Sequence, residues 1–445
     1  MSDIKDNADK IKAELGDALC LAKWQQVSLH LTNGMTNSCY HPPLHKIDPG
    51  PLKDNPSALH NTEYKKLRRK EMLDGVKCTE CSYCWNVEKT GRTSDRHYRS
   101  SERWAVVHLD RIKNQRWDAD EIPSYVEVNF SNVCNLACSY CSPQFSSTWA
   151  AQSNQFGPYP TKVPHNDMTH FTGDRRIIPG HEDNPYVNAF WEWWPELYPN
   201  LRHFRMTGGE PLMDKNTYKV FDYVMEHHNP NLHLNVTSNF SVEDKLFDKY
   251  MAAVTGLCEG EKIEHFMQFV SVDTFGKQAE YIRPGLNFEK LQRNVERYLS
   301  DIPGRNSVTF IITMSNLVMD GIQELMEWIL DLRKKHSTTY ERVLFDTPIL
   351  TYPKWQSLTI MPKSYTSKIG ELADWMESTG GFEDYEIDRI RRTDDQTRDR
   401  VEGHDSDFYK FFNEHDKRHG LSFTDSFPKM KVWWDYCKGE SDAGR

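Results

Sequence analysis

Six stretches rich in β-branched and aromatic residues alternate with helix-like stretches through the middle of this 445-residue sequence. The clearest helix-like stretches lie near 215–228, 287–300 and 320–335, where apolar residues recur at helical spacing. Strands that alternate with helices form parallel sheets, because each right-handed crossover brings the next strand back in the same direction. We therefore predict an α/β fold. Its strands are expected at 125–130, 201–212, 232–240, 266–275, 307–316 and 341–350, with 356–361 extending the last strand or adding to it.

Three cysteines follow the first predicted strand, in the sequence NVCNLACSYC. Cys134, Cys138 and Cys141 are separated by three and then two residues, and the next histidine is His165. Structural zinc takes four ligands, often from CxxC pairs, and this set lacks a fourth ligand close by. Three close cysteines suit a [4Fe-4S] cluster that is held through three irons and has an open fourth iron. The spacing therefore favours an iron–sulfur site on the loop after the first strand.

The spacing CxxxCxxC, with the aromatic Tyr140 before the last cysteine, resembles the signature of the radical S-adenosylmethionine (SAM) superfamily. The resemblance implies that SAM binds the open iron through its amino and carboxylate groups. The reduced cluster would then cleave SAM to a 5′-deoxyadenosyl radical, which abstracts hydrogen from a substrate. It also implies a partial (β/α)6 TIM-like barrel, with the chemistry at the carboxyl ends of the strands. An electron donor such as flavodoxin or ferredoxin is implied as a partner.

A glycine pair follows the second predicted strand, in LRHFRMTGGEPL. Glycines allow the backbone to approach a ligand closely, and a neighbouring carboxylate can accept hydrogen bonds from an ammonium group. By the resemblance, Gly208, Gly209 and Glu210 hold the amino group of SAM. Taken alone, the same segment is an ordinary glycine turn after a strand.

The resemblance implies further SAM-binding residues at the ends of the later strands. Ser271 and Asp273 occupy the position of a ribose contact. Arg283, in EYIRPG, occupies that of an arginine which meets the SAM carboxylate, although arginine before Pro-Gly is also an ordinary turn feature. Asn239 lies in TSNF, where relatives often carry a TNG-like sequence. Asn316 either contacts the adenosyl group or caps a turn.

A second set of cysteines lies in the first hundred residues. Thirteen residues separate Cys20 from Gly34 and four separate Gly34 from Cys39, and a glycine ahead of a cysteine permits a tight turn. This spacing resembles the SPASM and half-length twitch domains, which carry an auxiliary Fe–S cluster in radical SAM enzymes. The same thiolates also suit a structural zinc. The expected ligands are Cys20, Cys39, Cys81 and Cys84, with Cys78 as the substitute.

The sequence divides into three predicted regions. A twitch-like auxiliary metal or Fe–S domain is expected over 1–110, a radical SAM barrel over 120–362 and a C-terminal extension over 363–445. A polar stretch at about 150–185 has the period of neither a strand nor a helix. We interpret it as a lid that shields a radical from solvent, since long loops in compact domains are often functional.

The extension begins with a helical pattern at 366–378 and continues into a charged stretch at 390–407, which we interpret as a solvated linker. Trp191, Trp193 and Trp194 favour the packing of a helix rather than a substrate platform. Two cysteines without partners by spacing are expected to be buried, inert thiols: Cys258 and Cys437.

The net charge of −10 narrows the choice of partners. A negative chain repels nucleic acid, and the short basic stretches at 65–70 and 389–392 are flanked by acids, so we expect no nucleic acid partner. The sequence contains neither a signal core nor a long apolar run, and we expect a cytoplasmic protein. The expected substrate is a peptide or protein side chain. A small metabolite such as a sugar or nucleotide is the alternative among enzymes, and a non-catalytic zinc protein is the alternative outside them.

Overall fold

The computed structural model describes residues 2–337 and 339–444, and a nine-stranded sheet lies at its centre. The strands are β1 (Gln26–His30), β2 (Met35–Asn37), β3 (His45–Lys46), β4 (Tyr125–Asn129), β5 (His203–Thr207), β6 (Asn229–Ser238), β7 (Ile263–Ser271), β8 (Asn306–Ile311) and β9 (Val343–Asp346). In space they follow the order β3-β2-β1-β4-β5-β6-β7-β8-β9. β1 and β4 to β9 are parallel neighbours, whereas β2 and β3 are antiparallel. The predicted α/β class with a parallel sheet is confirmed, and the sheet is open, with β3 and β9 at its edges.

The six predicted strands all form, but the expected continuation at 356–361 is wrong. The chain makes two short 3-10 turns there, Lys354–Gln356 and Leu358–Ile360. Pro353 and Pro362 bracket the two turns. Proline has no amide hydrogen to donate to a sheet ladder, which explains why the apolar run does not become a strand.

The two faces of the parallel strands differ in polarity. Val126 and Phe204 lie on the apolar face and are fully buried in the main core. On the opposite face, Arg205 lies 3.5 Å from the Glu127 carboxylate and donates from Nε to Thr237 Oγ1 at 3.0 Å. Successive residues of a strand point to opposite faces, so one face packs against helices while the other presents charge.

The N-terminal region contributes helices as well as the first three strands of the sheet. β1 pairs with β4 in parallel register from Gln26 opposite Tyr125 to His30 opposite Asn129. A separate apolar cluster lies under the helices and includes Trp24, Cys78, Cys81 and Cys84, with Cys20 packed against it. The helices are α1 (Ser2–Leu15), α2 (Ala22–Gln25), α3 (Glu63–Leu73), α4 (Ser82–Lys89), α5 (Asp95–Ser101), α6 (Arg103–Val106) and α7 (Leu109–Asn114).

The helices between the central strands agree with the predictions at 215–228, 287–300 and 320–335. The stretch at 150–185 was expected to lack helix, but it begins inside one that ends at Phe156 and continues as an irregular chain with two 3-10 turns. Trp193 and Trp194 are buried, which confirms helix packing. The helices are α8 (Ser147–Phe156), α9 (Pro185–Leu197), α10 (Lys215–Glu226), α11 (Asp244–Glu259), α12 (Gly276–Ile282), α13 (Phe288–Asp301) and α14 (Ile322–His336).

The C-terminal extension packs against the central core. The predicted helix at 366–378 is confirmed, whereas the solvated linker is wrong, because much of that stretch is helical. Ile390 is fully buried, and Glu386 pairs with Arg333 at 2.7 Å across a buried contact. The helices are α15 (Lys363–Thr379), α16 (Asp384–Gln396), α17 (Asp405–His419), α18 (Phe423–Ser426) and α19 (Lys431–Asp442). Within the described residues, none of the helices combines the length and the apolar character needed to span a bilayer.

Candidate functional site

The three cysteines of the CxxxCxxC sequence lie on one loop between β4 and α8. Cys138 is buried, while Cys134 and Cys141 are half-buried. The first turns of α8 hold this loop, since the amide of Cys134 donates to Ser147 Oγ at 3.1 Å and Trp149 Nε1 donates to the Cys138 carbonyl at 2.7 Å. The amide of Cys141 also donates to the Cys138 carbonyl at 2.9 Å. These contacts fix the backbone around all three thiols.

The separation of the three sulfurs bears on the metal that they suit. Cys134, Cys138 and Cys141 do not form a compact group, because their three sulfurs do not all lie within 4.8 Å of one another. Such a compact group of three potential ligands does occur elsewhere among the described residues. Thiolates on a single zinc lie roughly 4 Å apart, because Zn–S bonds are about 2.3 Å long. In a [4Fe-4S] cluster each thiolate binds a different iron, which spreads the sulfurs further. As the side chains lie, the three thiols are therefore spaced more widely than the ligands of a single zinc.

Burial controls the protonation of these thiols. It raises the pKa of Cys134 and of Cys138, and it raises the pKa of Cys141 to about 12. The neighbouring Cys138 thiol adds to the rise at the other two cysteines. Arg283 opposes the rise at Cys138, because its Nη1 lies 3.6 Å from the sulfur. Metal binding here would release protons from buried thiols.

The Gly-Gly-Glu segment after β5 lies directly against the cysteine loop. Gly208 has φ +115°, and a Cβ atom there would lie 2.4 Å from the side chain of Asn129. A Cβ atom on Gly209 would lie 2.3 Å from the carbonyl oxygen of Val133. The amide of Glu210 donates to that same carbonyl at 2.6 Å. Both glycines are therefore required for the close approach of two backbone segments.

The carboxylate of Glu210 is fully buried at the ends of β5 and β6. It accepts hydrogen bonds from the amides of Asn239 at 2.8 Å and Leu212 at 3.1 Å. Burial raises the pKa of Glu210 to about 7, and the Asn239 amide lowers it in part. Asn239 Nδ2 donates to Asn135 Oδ1 at 2.8 Å, so β6 is also tied to the cysteine loop. The Ser238 side chain is a third hydrogen-bond partner and also lowers the pKa, so one of the four lone pairs of the carboxylate is left for a further donor.

Arg283, Asp273 and Tyr140 form a buried network under the cysteine loop. The guanidinium of Arg283 contacts Asp273 at 2.8 and 3.0 Å and Tyr140 Oη at 2.6 Å. Tyr140 Oη donates to the Asp273 carboxylate, 2.9 Å away, and the amide of Thr313 donates to the same carboxylate at 3.1 Å. Burial alone lowers the pKa of Arg283, but Asp273 outweighs it and the pKa is raised. The network joins the end of β7 to the cysteine loop through three side chains.

Two further contacts to the cysteine loop were not predicted. The backbone at 282–285 pairs with the loop: the amide of Ser139 donates to the Ile282 carbonyl at 2.8 Å, and a Cβ on Gly285 would lie 2.8 Å from the Asn135 carbonyl oxygen. Gln356 donates from Nε2 to the Ser139 carbonyl at 3.0 Å and accepts from Ser139 Oγ at 2.9 Å. The Pro-Gly in EYIRPG is a sequence signal for the first contact, whereas a lone glutamine gives none for the second.

Ser271 and Asn316 occupy different surroundings. Ser271 is the last residue of β7, opposite Ile311 of β8, and is half-buried. Asn316 is fully buried and donates from Nδ2 to the carbonyl of Trp355 at 2.8 Å. Its Oδ1 has no hydrogen-bond partner. Asn316 therefore braces the turn after β9 and retains one free acceptor.

The structure brings together four of the five N-terminal cysteines. Cys20 precedes α2, Cys39 follows β2, Cys81 ends a 3-10 turn and Cys84 lies in α4, and all four line one cavity. Cys78 does not line this cavity, although its sulfur is 3.7 Å from that of Cys81. The four cysteines that line the cavity are the four ligands expected from the sequence, and Cys78, the expected substitute, lies outside the cavity.

Cations surround the N-terminal cavity. Lys23, Arg96 and Arg99 line it with the four cysteines. Lys23 is buried and forms an ion pair with Glu80. Burial alone lowers the pKa of Lys23, but the Cys81 thiol and Glu80 outweigh it and the pKa is raised. A buried positive charge next to thiols favours an anionic centre made of thiolates.

Cys78, Glu80 and Cys81 form the one compact group of three potential metal ligands among the described residues, with atoms within 4.8 Å. The carboxylate of Glu80 is already engaged, since it accepts from Tyr64 Oη at 2.6 Å and pairs with Lys23. A metal here would have to displace these partners. This group is thus a weaker candidate than the four-cysteine cavity.

A large cavity adjoins the cysteine loop on the side of Cys141. Its volume is about 680 Å³. One wall is the cysteine loop with Tyr140 and Cys141, and a second wall is the irregular segment after α8, which was interpreted as a lid. The third wall is the β1–β3 region. Its other lining residues include Asn33, Met35, Leu44, Gln144, Phe145, Asn166, His170, Phe171, Arg175 and Tyr352.

A single loop separates the two cavities. Its first part, 38–42, lines the N-terminal cavity, and Pro43 and Leu44 line the large cavity at Cys141. His41 in this loop contacts Asp95 of α5, with 2.6 Å between Nε2 and Oδ2. The two groups of cysteines are therefore on either side of the large cavity's β1–β3 wall.

No family model matches this chain, and no curated protein matches it.

Proposed function

We propose that this chain is a radical SAM enzyme in which Cys134, Cys138 and Cys141 hold three irons of a [4Fe-4S] cluster. When bound, the cluster supplies the electron that cleaves SAM, and the resulting 5′-deoxyadenosyl radical abstracts hydrogen from a substrate. The proposal is carried by one observation. Residues after β5, β6 and β7, expected at a SAM site from their sequence, all contact the three-cysteine loop. Six parallel strands in sequential order are compatible with a partial barrel.

The chain's own residues would position SAM and exclude water. Glu210 is buried and keeps one lone pair beyond its three hydrogen bonds, which suits one N–H donor of the SAM amino group. Arg283 is already paired with Asp273, so it offers SAM no unpaired charge. It would instead orient the cysteine loop and place positive charge near the Cys138 sulfur. Asn316 Oδ1 is an open acceptor near the turn after β9. Because the network is buried, its hydrogen bonds act in a low dielectric and hold their geometry.

We assign a second Fe–S cluster to Cys20, Cys39, Cys81 and Cys84 in a twitch-like N-terminal domain. Support comes from the shared cavity and from its three cationic side chains. A structural zinc is the alternative for this site, favoured by the compact group of Cys78, Glu80 and Cys81. The cluster is preferred because Glu80, the acid of the compact group, is already paired with Lys23 and would have to leave it to bind zinc.

The proposed substrate is a peptide or protein side chain in a cytoplasmic setting, with a flavodoxin or ferredoxin as electron donor. The cavity beside Cys141, with a volume of about 680 Å³, has room for a short peptide segment. The segment after α8 would serve as its lid. A small metabolite stays the alternative among enzymes.

Anaerobic reconstitution with iron and sulfide tests the proposal. Two cubane clusters correspond to about eight irons per chain and broad visible absorption. Incubation with SAM and dithionite should yield 5′-deoxyadenosine, and Cys138→Ala should abolish it. Cys258→Ala is the matched control, since Cys258 is a buried cysteine outside both sites. Colourless protein with zinc alone would instead establish the non-catalytic alternative.

A further inference from the structure

The cavity beside Cys141 combines apolar walls with buried polar groups that lack partners. Asn33 and Gln144 both line it, and both side chains are more than nine-tenths buried. Asn33 Oδ1 and Gln144 Nε2 have no hydrogen-bond partner. Buried polar atoms are nearly always paired, so these two indicate a ligand or water that completes them.

The two unpaired atoms are an acceptor and a donor. A ligand that satisfies both must itself offer a donor and an acceptor, as a peptide amide does. Turning both carboxamides over exchanges the donor and the acceptor and leaves the same complementarity, whereas turning only one would present two donors or two acceptors. Phe171 and Tyr352 add apolar surface around this pair, which suits the side chains of a peptide.

The charge of the cavity is positive although the chain as a whole is negative. No aspartate or glutamate occurs among the described residues that line it, whereas Arg175 does. The guanidinium of Arg175 is exposed and forms no ion pair within the described part of the chain. Its neighbour Arg176 is outside the lining and pairs with Glu182 at 2.6 Å. Arg175 is therefore free to bind a carboxylate in two-point geometry.

We infer that this cavity binds an acidic peptide, with an amide between Asn33 and Gln144 and a side-chain carboxylate on Arg175. The inference deepens the proposed function and its catalytic meaning rests on it, but binding itself requires neither cluster nor SAM. An acidic peptide also complements the unpaired charge of Arg175 better than a neutral sugar does. A phosphate-bearing metabolite would use Arg175 but would leave the amide pair unmatched.

The test is capture of short capped peptides with randomised central residues on the immobilised full-length protein, read out by mass spectrometry. We expect enrichment of Asp and Glu over Asn and Gln by roughly threefold to fivefold, the range of a partly exposed ion pair. Arg175→Glu should reverse the preference towards Lys and Arg. Arg176→Glu, the matched control, should leave it unchanged. Gln144→Ala should lower capture of all peptides without changing the acidic preference.

Three outcomes would overturn the inference. They are the lack of acidic enrichment in the wild type, an acidic preference that persists in Arg175→Glu, and Arg175-dependent binding of ATP without peptide enrichment. The last result would assign the cavity to a phosphate-bearing metabolite. Because the capture is performed without SAM, acidic enrichment together with absent 5′-deoxyadenosine formation would overturn the proposed function alone.

Discussion

Arg283 forms a two-point ion pair with Asp273, with Nε–Oδ2 and Nη2–Oδ1 distances of 2.8 and 3.0 Å, and both side chains are buried. Removal of one partner leaves an uncompensated charge in the core, which costs about 3–5 kcal/mol. We expect Arg283→Ala to lower the free energy of unfolding of the metal-free protein by this amount in urea titrations. Arg116→Ala, which breaks the exposed pair with Asp118, should cause no measurable change. Equal effects of the two substitutions would contradict the prediction.

Gly209→Ala should disable the cysteine loop. The added methyl would lie 2.3 Å from the Val133 carbonyl oxygen, so the loop must move away from β5. We expect the iron bound after reconstitution to fall by about half, because one of two clusters is lost. Gly439→Ala in α19 is the control, since its Cβ would meet nothing within 4 Å. Full iron content in Gly209→Ala would show that the loop tolerates the shift.

Glu210 should make the metal-free protein more stable in acid. Its pKa is raised to about 7 by burial, whereas an ordinary glutamate titrates near 4.3. From about pH 4 to 7 the folded chain keeps a proton on Glu210 that the unfolded chain releases. The stabilisation of the folded state by this proton is therefore complete below about pH 4 and is lost as the pH rises to about 7. The free energy of unfolding, measured against Glu210→Gln, should fall by roughly 3 kcal/mol from pH 4.5 to 7.5. A pH-independent difference between the two proteins would contradict this.

The N-terminal cysteines should differ in their importance for metal content. Cys39→Ser removes a thiol that lines the four-cysteine cavity, and we expect loss of about half of the iron. Cys78→Ser is the matched control, because Cys78 is buried outside that cavity and should leave the iron content unchanged. Elemental analysis of the anaerobically reconstituted variants checks both. The reverse ranking would move the site to the compact group at Cys78, Glu80 and Cys81.

The central strands and helices could be predicted because their apolar periods are long and clear. β1, β2 and β3 were missed, and β2 and β3, with three and two residues, carry no usable period. α16 was mistaken for a linker because charged residues dominate its composition. The buried Ile390 and the pair between Glu386 and Arg333 hold it as a helix, and neither is apparent from composition.

The candidate site could be predicted in its residues but not in its contacts. Tyr140 and Asp273 are 133 positions apart in the chain, and their hydrogen bond depends on how β4 and β7 are arranged in the sheet. The resemblance implies a ribose contact for Asp273, and the hydrogen bonds of its carboxylate to Arg283, Tyr140 and the Thr313 amide are not apparent from the sequence. A sequence motif identifies the chemical groups of a site, whereas packing between distant parts of the chain determines which of these groups remain available to bind a ligand.

The parallel pairing of β1 with β4 has a topological consequence. Without β1, the row of amides and carbonyls along Tyr125–Asn129 would be bare, and a bare row of this kind recruits strands from other chains. The cysteine-rich N-terminal region therefore doubles as a cover for the first strand of the parallel series. A form of the protein without this region would expose the edge of β4 and would need another strand to cover it.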